Sequence, residues 1–247
     1  MKTYRLSMAL LLGVCISSGC SGSKTSHDSG SSVATNPVEL TTTEVSPPGA
    51  TFELQQLPVD LTAEIWNWPS DASSWPAREF PPIHIFGRTY QGHVEPTLMF
   101  DMLKVGTNIV SPIHGVVVDV REQPESCDVE LYIGSNEFQR VISLDHVTTT
   151  LHKGVEVSAG DVIATVPPWE CKQDFGRFEL MVMGEGENST QAICPMLLLA
   201  PSVAEESFRQ IQLVMEKWNV IAGSATSAYT AQDLKTGVCE SETASAQ

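Results

Sequence analysis

The stretch RVISLDHVTTTLHKGVEVSAGDVIATV, residues 140–166, decides the fold class of this chain. Its opening residues alternate in polarity, as a half-buried β-strand does. One face would carry Val141, Ser143 and Asp145, and the other Ile142, Leu144 and His146. The second half reads as two short strands joined by the turn-forming sequence SAGD, which contains Gly160. The stretch therefore predicts consecutive antiparallel strands.

Strand signals continue on both sides of this stretch. GVVVDV at 115–120 is β-branched, DVELYIG at 128–134 alternates, and GRFELMVMG at 176–184 alternates again. No helix of useful length fits between residues 98 and 184. We therefore predict a mainly β domain over residues 51–200, built as a small hybrid barrel or sandwich of antiparallel strands.

The period of the apolar residues changes after residue 200. PSVAEESFRQIQLVMEKWNVI predicts an amphipathic helix over residues 201–223. Its apolar face would consist of Phe208, Ile211, Met215 and Trp218. Ser202 and Glu205 have the spacing of a capping box, and Gly223 would end the helix. Residues 224–247 form a polar tail in this interpretation.

The N-terminus has the composition of an export signal. MKTYRLSMALLLGVCISSGC begins with basic residues, continues with a short apolar run and ends in small residues before Cys20. We predict a lipoprotein signal peptide over residues 1–19 and acylation (palmitate) of Cys20; the alternative is plain secretion with cleavage nearby. Residues 20–50 are rich in Ser, Thr, Gly and Pro, which predicts a flexible tether.

These segments predict a lipoprotein of the cell envelope, held to a membrane by lipid at Cys20. Lipoproteins retained at an inner membrane often have an aspartate directly after the acylated cysteine, whereas this chain has Ser21 there. An outer membrane is therefore favoured, with the domain facing the periplasm or the cell exterior. The net charge of −16 repels nucleic acid, so we predict no nucleic-acid partner.

Four cysteines remain beyond the signal and Cys20. Cys127, Cys171, Cys194 and Cys239 allow two disulfides in three connectivities, as is usual in an exported chain. Pairing Cys127 with Cys171 and Cys194 with Cys239 is favoured, since each pair joins segments that would otherwise be loop or tail.

A tryptophan cluster precedes the strands. Trp66, Trp68 and Trp75 lie in a Pro-rich stretch with no periodicity. Such rings bind carbohydrate by stacking, or they pin an extended arm onto the β domain; the second reading is favoured.

The order of motifs in the β region resembles that of lysostaphin-type zinc metallopeptidases, which contain a duplicated hybrid motif. VGTNIVSPIHGVVVDV at 105–120, ISLDHVTTTLHKGVEVSAGDVIATV at 142–166 and FGRFELMVM at 175–183 resemble three of their segments, and LMFDML at 98–103 resembles an earlier strand. The resemblance covers roughly residues 95–184. Its glycine-turn-strand part is shared with biotinyl- and lipoyl-like hybrid barrels, so it indicates fold more strongly than activity.

Carried over position by position, the resemblance implies a degenerate zinc site. Asp101 matches the aspartate ligand, Thr97 falls where the first histidine ligand stands, and His146 matches an assisting histidine. Phe175 and Arg177 fall on the two histidines of the last strand. A guanidinium stays protonated and offers no lone pair to a metal, and a threonine hydroxyl is a poor zinc ligand.

The replaced ligands lead to two further hypotheses. Arg177 would stand in for the metal and pair with Asp101, in a bidentate manner if geometry allows; alternatively it reaches solvent from an edge strand. Strand alternation places Phe175, Arg177 and Glu179 on one face, and Asp145 and His146 on opposite faces. If any metal site exists, its best ligands are His93, Asp101 and His146.

The sequence therefore predicts a membrane-anchored pseudoenzyme with a metallopeptidase-like fold, a binding or scaffolding module for peptidoglycan or an envelope protein. The binding-groove candidates are Asp101, His146, Arg177, Glu179, His93 and Thr97. We predict no cofactor and no catalytic residue. The alternatives are a cell-wall zinc endopeptidase with atypical ligands, and a carbohydrate-binding module using Trp66, Trp68 and Trp75.

Overall fold

A large antiparallel sheet organises the domain. The computed structural model describes residues 52–62, 64–74, 80–135, 140–184, 191–225 and 227–245. The predicted signal peptide, Cys20, the tether over residues 20–50 and Trp75 lie outside these residues.

The elements follow one another along the chain. The strands are β1 (Ile83–His84), β2 (Thr89–Tyr90), β3 (His93–Val94), β4 (Leu98–Lys104), β5 (Asn108–Val110), β6 (Gly115–Gln123), β7 (Asp128–Ser135), β8 (Arg140–Val147), β9 (Glu156–Val157), β10 (Val162–Thr165), β11 (Phe175–Met183), β12 (Gln191–Ile193) and β13 (Thr243–Ser245). The helices are α1 (Pro201–Ala222) and α2 (Ala231–Thr236), and short 3₁₀ turns cover Ala72–Ser74, Trp169–Cys171 and Pro195–Leu198.

The main sheet has the strand order β1-β4-β11-β8-β7-β6-β9, and every pairing within it is antiparallel. β12 pairs with the end of β11 beyond the part that β4 covers, and β13 pairs with β12. The pairs β10-β5 and β2-β3 form two small sheets. The mainly antiparallel β prediction is confirmed. The strands that the structure describes form an open, sandwich-like arrangement, so the barrel alternative is wrong.

Alternate residues of the central strands fill one apolar core. Phe178, Leu180 and Val182 of β11 are fully buried, and the Phe178 ring stacks on Phe100 of β4 at 5.9 Å between centroids. Burying side chains of this size is the main source of stability in a domain. Trp66 joins the same core at 4% exposure, so it packs as an arm-pinning residue and not as an open stacking platform.

Helix α1 buries the predicted face with one exception. Ile211, Met215 and Trp218 are buried, whereas Phe208 is 37% exposed. The predicted capping box does not form. Ala200 is the N-cap and Pro201 occupies the first helical position, so Ser202 already lies inside the first turn and cannot cap it. Gly223 ends the helix with a positive φ of 58°, as predicted.

The C-terminal segment is folded rather than a plain polar tail. Thr230 and Asp233 form a capping box at the start of α2, and β13 extends the main sheet. Both favoured disulfides, Cys127–Cys171 and Cys194–Cys239, are present. The second one fastens the C-terminal segment to the residue that follows β12. None of the helices in the described residues is both long and apolar enough to cross a bilayer.

Tyr229 holds the C-terminal segment against β1. Its buried hydroxyl donates to the Ile83 carbonyl oxygen at 2.8 Å and accepts from the Ile83 N–H at 2.8 Å. Tyr229→Phe leaves two buried backbone groups unpaired, and we expect the free energy of unfolding to fall by about 1–3 kcal/mol. Urea denaturation with both disulfides intact measures it.

Tyr132→Phe is the matched control for this change. The hydroxyl of Tyr132 contacts Arg121, whose side chain is 60% exposed, and Glu130, which is partly exposed, so water replaces the lost contacts. We expect a loss below about 1 kcal/mol. Equal losses in the two variants would show that the Tyr229 hydroxyl does not anchor the segment.

Candidate functional site

A bulge between β4 and β11 creates the centre of the site. Gly176 pairs with Leu103 and Phe178 with Phe100, so Arg177 alone stands opposite Asp101 and Met102. Met102 takes a left-handed conformation, with φ of 58°, and its N–H donates to Asp101 Oδ1 at 3.0 Å. The bulge thereby directs the buried Asp101 carboxylate towards Arg177.

The predicted contact of Arg177 with Asp101 is present, but it is made at one point only. Arg177 Nη2 lies 3.5 Å from Asp101 Oδ2, and Arg177 Nη1 lies 3.7 Å from Glu179 Oε1. The guanidinium also covers the ring of Trp169 at 4.0 Å. β11 lies between β4 and β8, so the alternative of an edge-strand arginine in solvent is wrong.

His84 is a second partner of Asp101 that the sequence did not reveal. It is 4% exposed, and its Nε2 lies 3.7 Å from Asp101 Oδ2. Phe80 and Tyr90 flank its ring, with centroids at 5.1 and 5.0 Å. The one available signal was its place between the apolar residues of PPIHIF, which favoured a buried strand position over an exposed turn.

Asp101 stays ionised in spite of its burial. Burial raises the pKa of Asp101, but the contacts of His84 and Arg177 and the N–H of Met102 outweigh burial and bring the pKa below its ordinary value. The centre of the site is therefore a buried carboxylate held charged by its neighbours.

His146 forms the second part of the site with Asp128. The Nδ1 of His146 lies 2.8 Å from Oδ2 of Asp128, which is 6% exposed, and this contact fixes the orientation of the imidazole. The edge of His146 meets the Trp169 ring at 4.8 Å. Asp128 follows Cys127, and Trp169 lies two residues before Cys171, so one disulfide joins both neighbours of His146.

The expectation that Asp145 and His146 point to opposite faces is wrong. A bulge places both residues opposite Glu130, and His146 has a left-handed φ of 56°. As a result, His146 Nε2 lies 4.0 Å from Asp145 Oδ2 and 3.6 Å from Glu179 Oε1. Period-two alternation does not hold across a bulge.

Glu179 is a buried carboxyl group that titrates near neutrality. Burial raises the pKa of Glu179 to about 7, although His146 and Arg177 lower it. Thr97 Oγ1 lies 3.1 Å from Glu179 Oε2 and hydrogen-bonds Glu95 as well. The hydroxyl has one proton, so both contacts are satisfied when Thr97 donates to Glu95 and a protonated Glu179 donates to Thr97.

The structure brings five of the six groove candidates together: Asp101, His146, Arg177, Glu179 and Thr97. His93 is exposed on the β2-β3 hairpin. Phe175 joins the apolar core instead of facing the site, contrary to the shared-face expectation.

Over the described ranges, no three His, Cys, Asp or Glu side chains are placed to hold a metal ion, and this includes the set His93, Asp101 and His146. Asp128, Asp145, Glu95 and Trp169 were not predicted from the sequence.

The residues at the centre do not suit a bound zinc ion. Arg177 and Thr97 occupy the positions that the resemblance assigns to histidine ligands, and the Arg177 side chain puts a positive charge beside Asp101. A divalent cation there would meet like charge at short range. The groups that remain can bind, orient and exchange protons with a ligand.

Comparison with known proteins gives a likeness at the level of structure. No protein-family model and no curated protein sequence matches the chain. The structure of LytU aligns at 20% identity and a TM-score of 0.40 over 47% of this chain and 83% of its own. The catalytic domain of the antimicrobial peptidase lysostaphin from Staphylococcus simulans aligns at 15% identity and a TM-score of 0.38 over 47% and 86%. The SpoIIQ–SpoIIIAH pore-forming complex aligns at 12% identity and a TM-score of 0.40 over 64% and 99%. All three likenesses are at low identity and cover only part of this chain.

Glu179 makes stability depend on pH in a predictable direction. Its pKa is about 7 in the folded chain against 4.5 for a free glutamate, so the folded state binds more protons between these values. Between pH 4.5 and 7, the free energy of unfolding of the wild type should therefore fall relative to that of Glu179→Gln, by on the order of 1–3 kcal/mol. Urea denaturation at pH 5 and pH 8 measures the difference.

Glu156→Gln is the control, because Glu156 is exposed on β9 and is solvated in both states. Its pH profile should run parallel to that of the wild type. A Glu179→Gln profile that also runs parallel would refute the neutral, buried carboxyl group.

Proposed function

We propose that this chain is a non-catalytic binding domain of the cell envelope, tethered through lipid at Cys20, whose peptidase-like site holds peptide ligands instead of cleaving them. The observation that carries this proposal is the Arg177 guanidinium at 3.5 Å from Asp101, where the resemblance expects a histidine and a zinc ion. The fixed charge of the guanidinium gives Asp101 the compensation that a metal ion gives it in an active peptidase.

The site has features that suit peptide recognition. The Arg177 side chain is 22% exposed. Its Nε is buried and has no hydrogen-bond partner within the described residues. Asp145 and His146 are partly exposed beside it. These groups offer a donor, an acceptor and an imidazole along one wall, as binding of a peptide backbone and its terminal groups requires.

The ligand favoured by the envelope location is the stem peptide of peptidoglycan. Purified sacculi should retain the wild-type protein on sedimentation, and the muropeptide composition should not change during incubation, because no bond is cleaved. Arg177→Met removes the guanidinium donors and should weaken retention by about tenfold in preparations whose near-ultraviolet circular dichroism shows the native fold.

Arg209→Met is the matched control for the sedimentation assay. Arg209 is an exposed arginine of α1, paired with Glu206 and absent from the site. Retention of this variant should equal that of the wild type. Loss in both variants would indicate unspecific charge attraction, and new muropeptides with the wild type would indicate a peptidase.

The zinc site should return when its two replaced ligands are restored. Thr97→His with Arg177→His would add two imidazoles to Asp101, which is the ligand number of a catalytic zinc site with an open position. The double variant should retain about one zinc per chain after dialysis. The metal content, measured by mass spectrometry, should stay near zero for the wild type.

The single variant Arg177→His is the control in this experiment, since two protein ligands hold zinc weakly. Stoichiometric zinc in chelator-treated and dialysed wild-type protein would contradict the proposed function. A double variant that folds, with both disulfides formed, but binds no zinc would show that the position-by-position correspondence is wrong.

A further inference from the structure

A second cleft is not part of the site around Arg177. It lies between the N-terminal arm, which contributes Leu61, Trp66 and Trp68, and the helix α1, which contributes Leu213 and Lys217. Its volume is about 340 Å³, within the range of small-molecule sites.

Trp66 lines this cleft and carries an unused hydrogen-bond donor. Its ring is 4% exposed, and its indole N–H has no hydrogen-bond partner within the described residues. An indole nitrogen can only donate, and a buried donor without an acceptor destabilises the fold. Trp218 shows the ordinary arrangement, because its N–H donates to the Ser227 carbonyl oxygen at 2.9 Å. The indole N–H of Trp66 therefore lacks an acceptor, and a ligand can supply one.

Lys217 brings a positive charge without a carboxylate partner. Its Nζ lies 4.6 Å from the centroid of the Trp68 ring, and no ion pair joins it to an acidic group of the described residues. Glu64 also lines the cleft but forms no salt bridge with Lys217. In a chain with 30 acidic and 14 basic residues, such a lysine marks a place for an anionic group.

The walls of the cleft are apolar in part, since Thr62, Glu64, Arg209 and Gln210 also line it. Leu61 and Val214 are buried at its base, and Leu213 is 51% exposed at its rim. Apolar walls with an ammonium group and an indole N–H favour an amphipathic anion. A neutral sugar fits less well, since Lys217 covers the Trp68 ring on which a sugar would stack.

We propose that this cleft binds an aliphatic carboxylate. The aliphatic chain contacts Leu61, Val214 and Leu213, and the carboxylate accepts hydrogen bonds from the Lys217 ammonium and the Trp66 indole N–H. The inference does not depend on the function proposed for the Arg177 site, which shares no residue with the cleft.

The test uses the full chain labelled with nitrogen-15, in which each of the five tryptophans gives an indole N–H resonance. Sodium octanoate should shift the Trp66 resonance downfield in a saturable manner, because the N–H gains an acceptor. Octylammonium chloride and octanol have the same chain without the anion and should leave the resonance unchanged. N-acetylleucine tests the other source of this chemistry, the C-terminus of a peptide with an apolar last residue.

Variants identify the anion-binding group. Lys217→Met keeps the aliphatic stem and removes the charge, and it should weaken octanoate binding by about tenfold or more. Lys153→Met is the control, because Lys153 is an exposed lysine of the turn before β9, and its octanoate affinity should equal that of the wild type. Arg177→Met should also leave octanoate binding unchanged, which separates this test from that of the proposed function.

Three results would overturn the proposal. One is equal or tighter binding of octylammonium or octanol, and another is unchanged affinity in Lys217→Met. The third is a Trp66 shift that N,N′-diacetylchitobiose produces and that neither carboxylate produces, which would assign the cleft to carbohydrate.

Discussion

The negative charge of Asp101, buried within the sheet, is the constraint on which the site depends. A carboxylate removed from water is costly unless charges and donors around it compensate the lost hydration. Three strand segments supply this compensation: β1 through His84, β4 through the Met102 N–H, and β11 through Arg177. β1 and β11 pair with β4 on its two sides. This pairing therefore builds the sheet and also brings the compensating groups to the Asp101 carboxylate.

The same constraint explains why the site differs from a metal centre. A zinc ion and a guanidinium are alternative ways to neutralise one carboxylate, and the presence of one disfavours the other. Burial raises the pKa of Glu179. A protonated Glu179 can share the Thr97 hydroxyl with Glu95 without adding another negative charge. At the other end of the site, Asp128 fixes the orientation of the His146 imidazole. The carboxylates of Asp101, Asp128 and Glu179 thus each have a partner among the described side chains, whereas the Nε of Arg177 has none.

The fold could be predicted from the sequence where local periodicity decides the structure. Alternating polarity indicated the central strands such as β8 and β11, and the apolar face indicated α1. The number and positions of the cysteines favoured the two disulfides that are present. The site was predicted only in part. Asp101 and Arg177 were placed together by the resemblance, but no local pattern indicates that a distant His84 pairs beside them.

Bulges account for most of the remaining errors. Met102 and His146 adopt left-handed backbone conformations, which are uncommon for residues other than glycine, so neither bulge could be read from composition. Each bulge breaks the two-residue period, and with it the assignment of side chains to faces. The addition of β13 to the sheet is similarly invisible in sequence, because its partner β12 lies far away along the chain.

The crosslink between Cys127 and Cys171 has a mechanical consequence for the site. Asp128, which orients His146, and Trp169, which lies against His146 and Arg177, sit at the two ends of this single covalent tie. The disulfide limits how far the Trp169 segment can move from the hairpin that carries Asp128. We therefore expect these two neighbours of His146 to shift together when the site widens.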